Sequence, residues 1–443
     1  MSKYKRSIIW DALGTTLFGI LFLGGINKFS EAEIVNLDVI NPISEMFADF
    51  EVTDLVFSKI RESPPVDDRI VLVNIGNLGR RDIAEQINII SKAKPKVIGV
   101  DVRFFSEIRT GDSTEDAIAI QTDSILEDAF KRAGNVVLGC ELKANSEKKI
   151  IDSIQYALPI FNKVTTPAYV NMISEGLSEF KTARTHFLRQ KLQDSTYMLS
   201  FAAKIANLYK PSSTNRIVER NKDTEVINYY GNIKVAEKLE NSNENPNSKI
   251  TFGALDVDDV FNPEYPKDNL KDKIVIMGFM GPNFKTYSTE DRFFTPLNEK
   301  YVGRADQDMY GVIVHANIIA MILNETYIDE MPENWTFIMN ILIIFVNIIF
   351  FQYLYTKLEL FWDGATLLIT VIQALLFIGI IVYTFSWYNY KLNFGVATLA
   401  LFLMPNIIEL YYGLIKPSII KTIDKIENRK KRKIIVNPEE ENL

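Results

Sequence analysis

Hydrophobic and polar positions divide the chain into an outer frame of long apolar runs and a patterned middle. Residues 8–26, IIWDALGTTLFGILFLGGI, are long enough to span a bilayer as a helix. Three more apolar runs close the chain: Trp335 to Tyr355, Gly364 to Phe385 and Leu392 to Ile415. Each is near the ~20 residues that a spanning helix needs. Trp335, Tyr353, Tyr355, Trp362, Trp387, Tyr388 and Tyr390 crowd the edges of these runs, where aromatic side chains mark headgroup level.

The middle region alternates buried-strand and amphipathic-helix patterns. Strands are predicted at Arg69–Ile75, Lys96–Val102, Asn135–Cys140, Tyr169–Ile173, Val226–Tyr230 and Ile274–Met277, where apolar residues run together. Helices are predicted at Asp82–Ala93, Ser124–Ala133 and Tyr197–Tyr209, and a buried helix carrying His315 ends at Asn324. A further helix within residues 28–60 links the first apolar run to the sheet, and residues 240–250 read as a polar loop. Strands that alternate with helices give an α/β fold, a mainly parallel sheet flanked by helices. The predicted whole is that domain plus one N-terminal and three C-terminal transmembrane helices.

Charge fixes the expected topology. Residues 28–333 carry −11 of the chain's net −7, because the remaining segments together carry +4. An acidic middle argues against nucleic acid or anionic lipid as its partner. Lys3, Lys5 and Arg6 precede the first span, and the KIENRKKRK run follows the last. Both call their side cytoplasmic. The expected organisation is therefore a start and signal anchor over 1–27, an extracytoplasmic domain over 28–333, three spans over 334–415 and a basic tail over 416–443. That places the chain in the cytoplasmic (inner) membrane as a multi-pass protein, its large domain facing the periplasm or the exterior. Asp11, near the basic end of the first span, is expected to reach the headgroups or pair with Arg6; a polar contact with another transmembrane helix is the alternative. In the tail, Ile419, Ile420, Ile423 and Ile426 share one helical face. Lys421, Lys425, Arg429, Lys430, Lys431, Arg432 and Lys433 supply positive charge for a membrane or partner contact. An amphipathic helix on the inner leaflet fits, as do packing on a second copy in a homodimer and an ordinary stop-transfer flank.

Candidate chemistry is sparse. The one cysteine, Cys140, lies in an apolar run and reads as a buried, inert thiol. Gly76 and Gly79 read as a strand-to-helix turn; the third glycine of a phosphate-binding turn is absent. Asp256, Asp258 and Asp259 read as the start of a short helix, since the glycine and distal glutamate of a calcium loop are missing. Asp101 ends an inner strand, where ligands bind in parallel sheets, and could pair with Arg103, hold a ligand cation or simply cap a turn. His315 is one of two histidines, the other being His186. It is expected as a buried polar group bonded to the loop of Asp291 and Thr295, with pH sensing as the second reading. No metal or cofactor is expected. Ligand-binding candidates are Asp101, Arg103, Asp291 and His315.

The motifs also carry a resemblance. DLVFSKIR (Asp54, Phe57, Arg61), PPVDDRIVLVNI (Pro65, Asp68, Arg69) and AKPKVIGVDVRF (Asp101, Phe104) come in order. VINYYGN (Tyr229, Gly231), KDKIVIMG, Asp291, Thr295 and Pro296, then Gly311, His315, Ala316 and Asn317 follow. Over roughly residues 45–415 this resembles the CHASE-type-two family of extracytoplasmic sensor domains, which are associated with cyclases and histidine kinases. The three closing spans fit the family's layout; GNLGRRD stands where the family often has a Trp-Pro element. Only 28 residues follow Ile415, too few for a kinase or cyclase. The resemblance therefore implies a sensor without its own enzymatic output, binding an extracytoplasmic ligand or envelope protein and signalling through a cytoplasmic or membrane effector. The alternative is a structural or assembly subunit of an envelope complex.

Overall fold

The computed structural model describes residues 11–19, 21, 51–62, 64–105, 113–145, 150–172, 182–192, 195–233, 251–298, 307–357 and 362–436. The chain divides into two compact units, Pro42–Asp329 and a second made of Met1–Asn41 with Glu330–Leu443.

The first unit is built on a seven-stranded sheet. Its strands are β1 (Ile70–Asn74), β2 (Val97–Val100), β3 (Val136–Asn145), β4 (Ile150–Gln155), β5 (Thr166–Tyr169), β6 (Gly253–Leu255) and β7 (Ile274–Gly278). The order is β6-β1-β7-β2-β3-β4, with β5 also pairing β3. All pairings are parallel except β3 with β4. β7, late in the sequence, slots between β1 and β2 and pairs with both, Ile276 facing Leu72 on one side and Gly99 on the other. β1 and β7 are buried at every position, which explains their continuous apolar runs.

Side chains alternate across the sheet, so each strand serves two faces. On one face Val71, Val73, Ile98, Val100, Val275 and Met277 join a single apolar cluster. Helices α1 (Arg80–Lys92) and α2 (Ser113–Ala133) cover it with Ile83, Ile87 and Ile90 from one and Leu126, Ala129 and Phe130 from the other. Arg80 bonds Asp123 at 2.6 Å, tying the start of α1 to α2.

The opposite face carries α3 (Phe201–Tyr209) and α4 (Gly311–Asn324). Two strand glycines let these helices settle close to the sheet. A Cβ at Gly99 would lie 2.5 Å from Ile205 Cδ1 and 2.9 Å from Phe201 Cζ; one at Gly278 would lie 2.8 Å from Val312 Cβ. α4 is buried from Gly311 through Leu323, all the way round, as its unbroken apolar sequence requires.

Some predicted boundaries move. Tyr197–Leu199 is a short strand paired with Arg189–Lys191, and α3 starts only after Ser200. The Ser200 hydroxyl accepts from Ala203 N and caps the helix, a local signal that the apolar periodicity of residues 197–209 conceals. In the predicted strand Val226–Tyr230 only Val226 pairs, the two-residue strand Glu225–Val226 lying against Thr185–His186. Residues 228–231 bond instead to side chains, as described below. β5 lies earlier than Tyr169–Ile173, and Ile173 is outside the described residues, as is the 240–250 loop. α2 begins eleven residues before Ser124, its first half being mostly polar and exposed. Within residues 28–60, a helix over Val52–Leu55 continues as a π-helical turn over Val56–Ile60.

In the second unit, α5 (Glu333–Lys357) and α6 (Trp362–Tyr388) are long and apolar enough to cross a membrane. The third closing run is helical from α7 (Gly395–Leu410), 16 residues, through a π-helical turn over Tyr411–Ile415. It passes without a loop into α8 (Lys416–Val436). The tail helix is thus a direct extension of the last apolar helix, not a separate segment. Of residues 8–26, only 11–19 and 21 are described; 11–19 are helical. Asp11 does not stand alone at its helix end: its Oδ2 accepts from Lys416 Nζ at 2.8 Å. Lys416 opens the tail helix α8, so the contact is between helices though not with a residue of a predicted span; Arg6, the other expected partner, lies outside the described residues. Gln352 Nε2 donates to Thr15 Oγ1 at 2.7 Å, a second polar bond from that helix, here to α5. Such bonds join helices where apolar packing alone gives little specificity.

Candidate functional site

The candidate site lies at the carboxyl ends of β1, β7 and β2. Parallel sheets bind ligands at this edge, because loops fan out there and helix N-termini point towards it. The loops are pinned from below by Asn74, which is fully buried. Its Nδ2 donates to Asp256 Oδ1 (2.9 Å) and Gly281 O (3.0 Å), and its Oδ1 accepts from Gly76 N and Met280 N, both at 2.9 Å. Gly76 has φ +50°, and a Cβ there would meet Pro282 O and Val257 Cγ2 at 2.8 Å. The glycine serves loop packing, as the turn reading expected. Asp256 caps the short helix Val257–Phe261 and forms a capping box with Asp259, as the helix-start reading expected.

Asp101 follows β2 directly. Its side chain is 14% exposed, and Oδ2 lies 3.9 Å from His315 Nε2. Burial, then the charge of Asp291, push the Asp101 carboxyl up to about 8, with Arg103 opposing. Asp291 itself is pushed up to about 6 by burial, again against Arg103. Asp291 has φ +54°, a left-handed conformation uncommon for a residue with a side chain. Its carboxylate closes over the first turn of α4: a Cβ at Gly311 would be 3.3 Å from Asp291 Oδ2 and 3.1 Å from Phe293 Cε2. A larger side chain there would push one of them aside. Arg103 forms a 3.8 Å ion pair with Glu141. Its charge reaches both aspartates without a hydrogen bond to either.

Behind Asp101 the chain's two histidines come together. His315 and His186 meet edge to face, centroids 6.0 Å apart and planes at 84°, and Phe201 packs on His315 at 5.1 Å. His186 is fully buried and His315 is 1% exposed. Neither nitrogen of His186 has a hydrogen-bond partner among the described residues, nor does Nδ1 of His315. Burial lowers His186 to about 4. Burial, then the neighbouring His186, lower His315 well below its usual value. Both rings are therefore neutral at pH 7 while Asp101 is largely protonated.

His315 is not bonded to the loop of Asp291 and Thr295. Thr295 turns the other way, its N and Oγ1 donating to Asp308 at 2.8 and 2.5 Å. Asp308, despite those bonds, is pushed up to about 7 by burial. The four candidates Asp101, Arg103, Asp291 and His315 converge at the sheet edge, whereas Lys421 and Lys425 are exposed on α8 in the other unit. Arg429, Lys430, Lys431, Arg432 and Lys433 continue that helix. His186 and Asp308 escaped the sequence reading. His186 lies 129 positions before His315 with no spacing to link them. Cys140 is buried and its thiol is pushed up to about 12, so it is unreactive as expected. Among the described residues no group of three or more His, Cys, Asp or Glu side chains could hold a metal ion.

Fold and site together define a membrane-associated α/β sensing domain accompanied by long apolar helices. The family model of the CHASE2 domain matches residues 35–350, and the chain belongs to the CHASE2 domain family. CHASE2 domains are non-catalytic sensors, associated in general with histidine kinases or cyclases. No curated protein and no solved structure matches it.

Proposed function

We propose that this chain is a membrane-anchored sensor that takes its ligand at the carboxyl edge of the sheet, against Asp101, Arg103, Asp291 and His315, and signals through a separate partner. The observation that carries this reading is the gathering at one edge of two carboxyls that burial pushes up and a buried histidine pair with unpartnered ring nitrogens. Elsewhere in the domain buried charges are bonded, as in Asp54 with Arg184 at 2.7 Å and Arg220 with Glu225 at 2.7 Å. At the edge, Asp101 Oδ2 stands 3.9 Å from His315 Nε2, and the charge of Asp291 acts on Asp101. Such groups cost stability, and strained or unsatisfied polar groups gather where a ligand completes them.

In this reading four spans cross the membrane: residues 8–26, α5, α6 and the helix from α7 through the π-helical turn. Both ends are cytoplasmic, and the CHASE2 domain is outside. Binding favours one arrangement of the spans. α8, with Lys421 and Lys425, is the contact surface for the partner.

The test is a pull-down from native membranes in mild detergent, comparing the tagged full chain with one lacking residues 416–443. Recovery of a cytoplasmic or membrane effector by the full chain alone is expected. Recovery of envelope proteins only, equally by both chains, would replace this reading with that of an assembly subunit.

A further inference from the structure

The chain enters the α/β unit through Val52–Ile60 and leaves it through residues 324–329, after α4. One buried side chain bonds both segments. Asn228 is 3% exposed. Its Oδ1 accepts from Arg61 Nη1, at the end of the entering segment. Its Nδ2 donates to Thr326 O at 2.8 Å, in the leaving one. A carboxamide is suited to this because it offers an acceptor and two donors on one small planar group. Aspartate would keep the acceptor and lose the donors; alanine would lose both.

The residues around Asn228 form a crosspiece between the same two segments. On the entering side Arg184 grips Asp54 with two bonds, 3.2 and 2.7 Å, and Ile227 N donates to Arg184 O at 2.8 Å. On the leaving side Arg220 donates to both oxygens of Glu225 (2.7 and 2.9 Å), to Asp329 Oδ1 (2.7 Å) and to Ile328 O (3.2 Å). The Tyr230 hydroxyl bonds Thr326 Oγ1. The crosspiece is also bolted to α4. Tyr230 N and Gly231 N donate to Asn317 Oδ1 at 2.8 and 3.1 Å, and Asn317 Nδ2 returns a bond to Gly231 O at 2.9 Å.

Both histidines of the candidate site border this assembly. His315 stands two residues before Asn317 on α4. His186 stands two residues after Arg184 and pairs in register with Glu225.

We propose that Asn228 is a clasp that makes the entering and leaving segments of the domain a single joint. That the joint passes a binding event on towards the spans rests on the sensor reading above; the clasp itself does not.

The test is hydrogen–deuterium exchange with mass spectrometry on the full chain in lipid nanodiscs. In Asn228→Ala, amides of residues 56–61 and of 324–329 should both exchange at least about tenfold faster, while β1 and β7 keep their protection. Asn228→Asp is the sharper variant because it retains the acceptor for Arg61 and loses only the donor to Thr326. If the two segments are one joint, residues 56–61 loosen in Asn228→Asp as well. Loosening confined to 324–329 in that variant overturns the proposal, as does loss of protection throughout the sheet. If Asn228→Ala fails to fold, Asn228→Asp decides alone. Asn135→Ala, which removes an amide bonded to Pro95 O at 2.7 Å, is the control and should loosen only its own turn. None of these outcomes depends on whether a partner is recovered with the full chain, so clasp and sensor reading can fail separately.

Discussion

The two faces of the sheet are packed on different principles. Under α1 and α2 the core is mainly apolar, its buried polar side chains Gln86 and Asp123 being bonded to Asn74 O and Arg80, and Phe104, Phe130 and Phe161 close it as a trio of edge-to-face rings with centroids 5.5–6.3 Å apart. Under α3 and α4 the sheet is equally buried, yet His186, His315, Asn317 and Ser200 lie among the apolar side chains. Asn317 and Ser200 are bonded; the histidines are largely not. The first face supplies stability. The second gives up some of it to keep polar groups in place beside the carboxyl edge of the sheet and the Asn228 crosspiece.

Damage to the apolar face should have the largest effect. Phe130 is fully buried, and its truncation leaves a cavity among rings that cannot collapse around it. Phe130→Ala should cost about 3–5 kcal/mol. Chemical denaturation of the full chain in detergent, followed by tryptophan-independent far-ultraviolet circular dichroism, reads that loss. The change should be the same at pH 5 and pH 8, since nothing titratable is involved.

Asp101 should behave in the opposite sense. Its carboxyl ionises near 3.8 in the unfolded chain but only near 8 in the folded one. The folded state therefore holds the proton more tightly, and its advantage, complete below pH 3.8, is lost as pH rises to 8. Asn cannot ionise, so Asp101→Asn should raise stability at pH 7 by roughly 2–4 kcal/mol and leave it unchanged at pH 4. A variant that is more stable at pH 7 and no longer signals would fit a carboxylate kept for function. Equal or lower stability at pH 7 would show that Asp101 is held by bonds that favour its charge.

These contrasts explain how much the sequence discloses. The apolar face is legible because it rests on local periodicity: Ile83, Ile87 and Ile90 announce α1, and the runs of β1 and β7 announce buried strands. The order β6-β1-β7-β2 is not legible, since nothing in residues 274–278 says that they insert between strands closed off long before. The polar face is read in part. Asp101 could be placed by its strand end and His315 by its apolar helix, because each needs only its own neighbours. His186 and Asn228 are defined by partners far along the chain, and a residue of ordinary type in an ordinary segment carries no mark of them. Asp11 shows the same limit in the other unit, where its partner Lys416 stands at the opposite end of the sequence.

The smallest effect expected is at His186, and it tests the polar face most directly. The ring packs between Tyr169 (6.4 Å) and His315 (6.0 Å), with Asp101 beyond His315. Burial holds it neutral down to about pH 4, while in the unfolded chain it takes up a proton near 6.5. The stability that comes from keeping it neutral is present above pH 6.5 and is lost as pH falls towards 4. His186→Phe fills the same space without titrating. At pH 7.5 it should lie within about 1 kcal/mol of the unaltered chain, because two unbonded ring nitrogens are replaced by carbon. At pH 5 it should be more stable by about 2 kcal/mol. Melting curves of both chains across pH 4.5–7.5 decide the matter. Curves that stay parallel would mean that His186 gains a bonded partner on protonation, and the second face would then be polar in order to respond to acid.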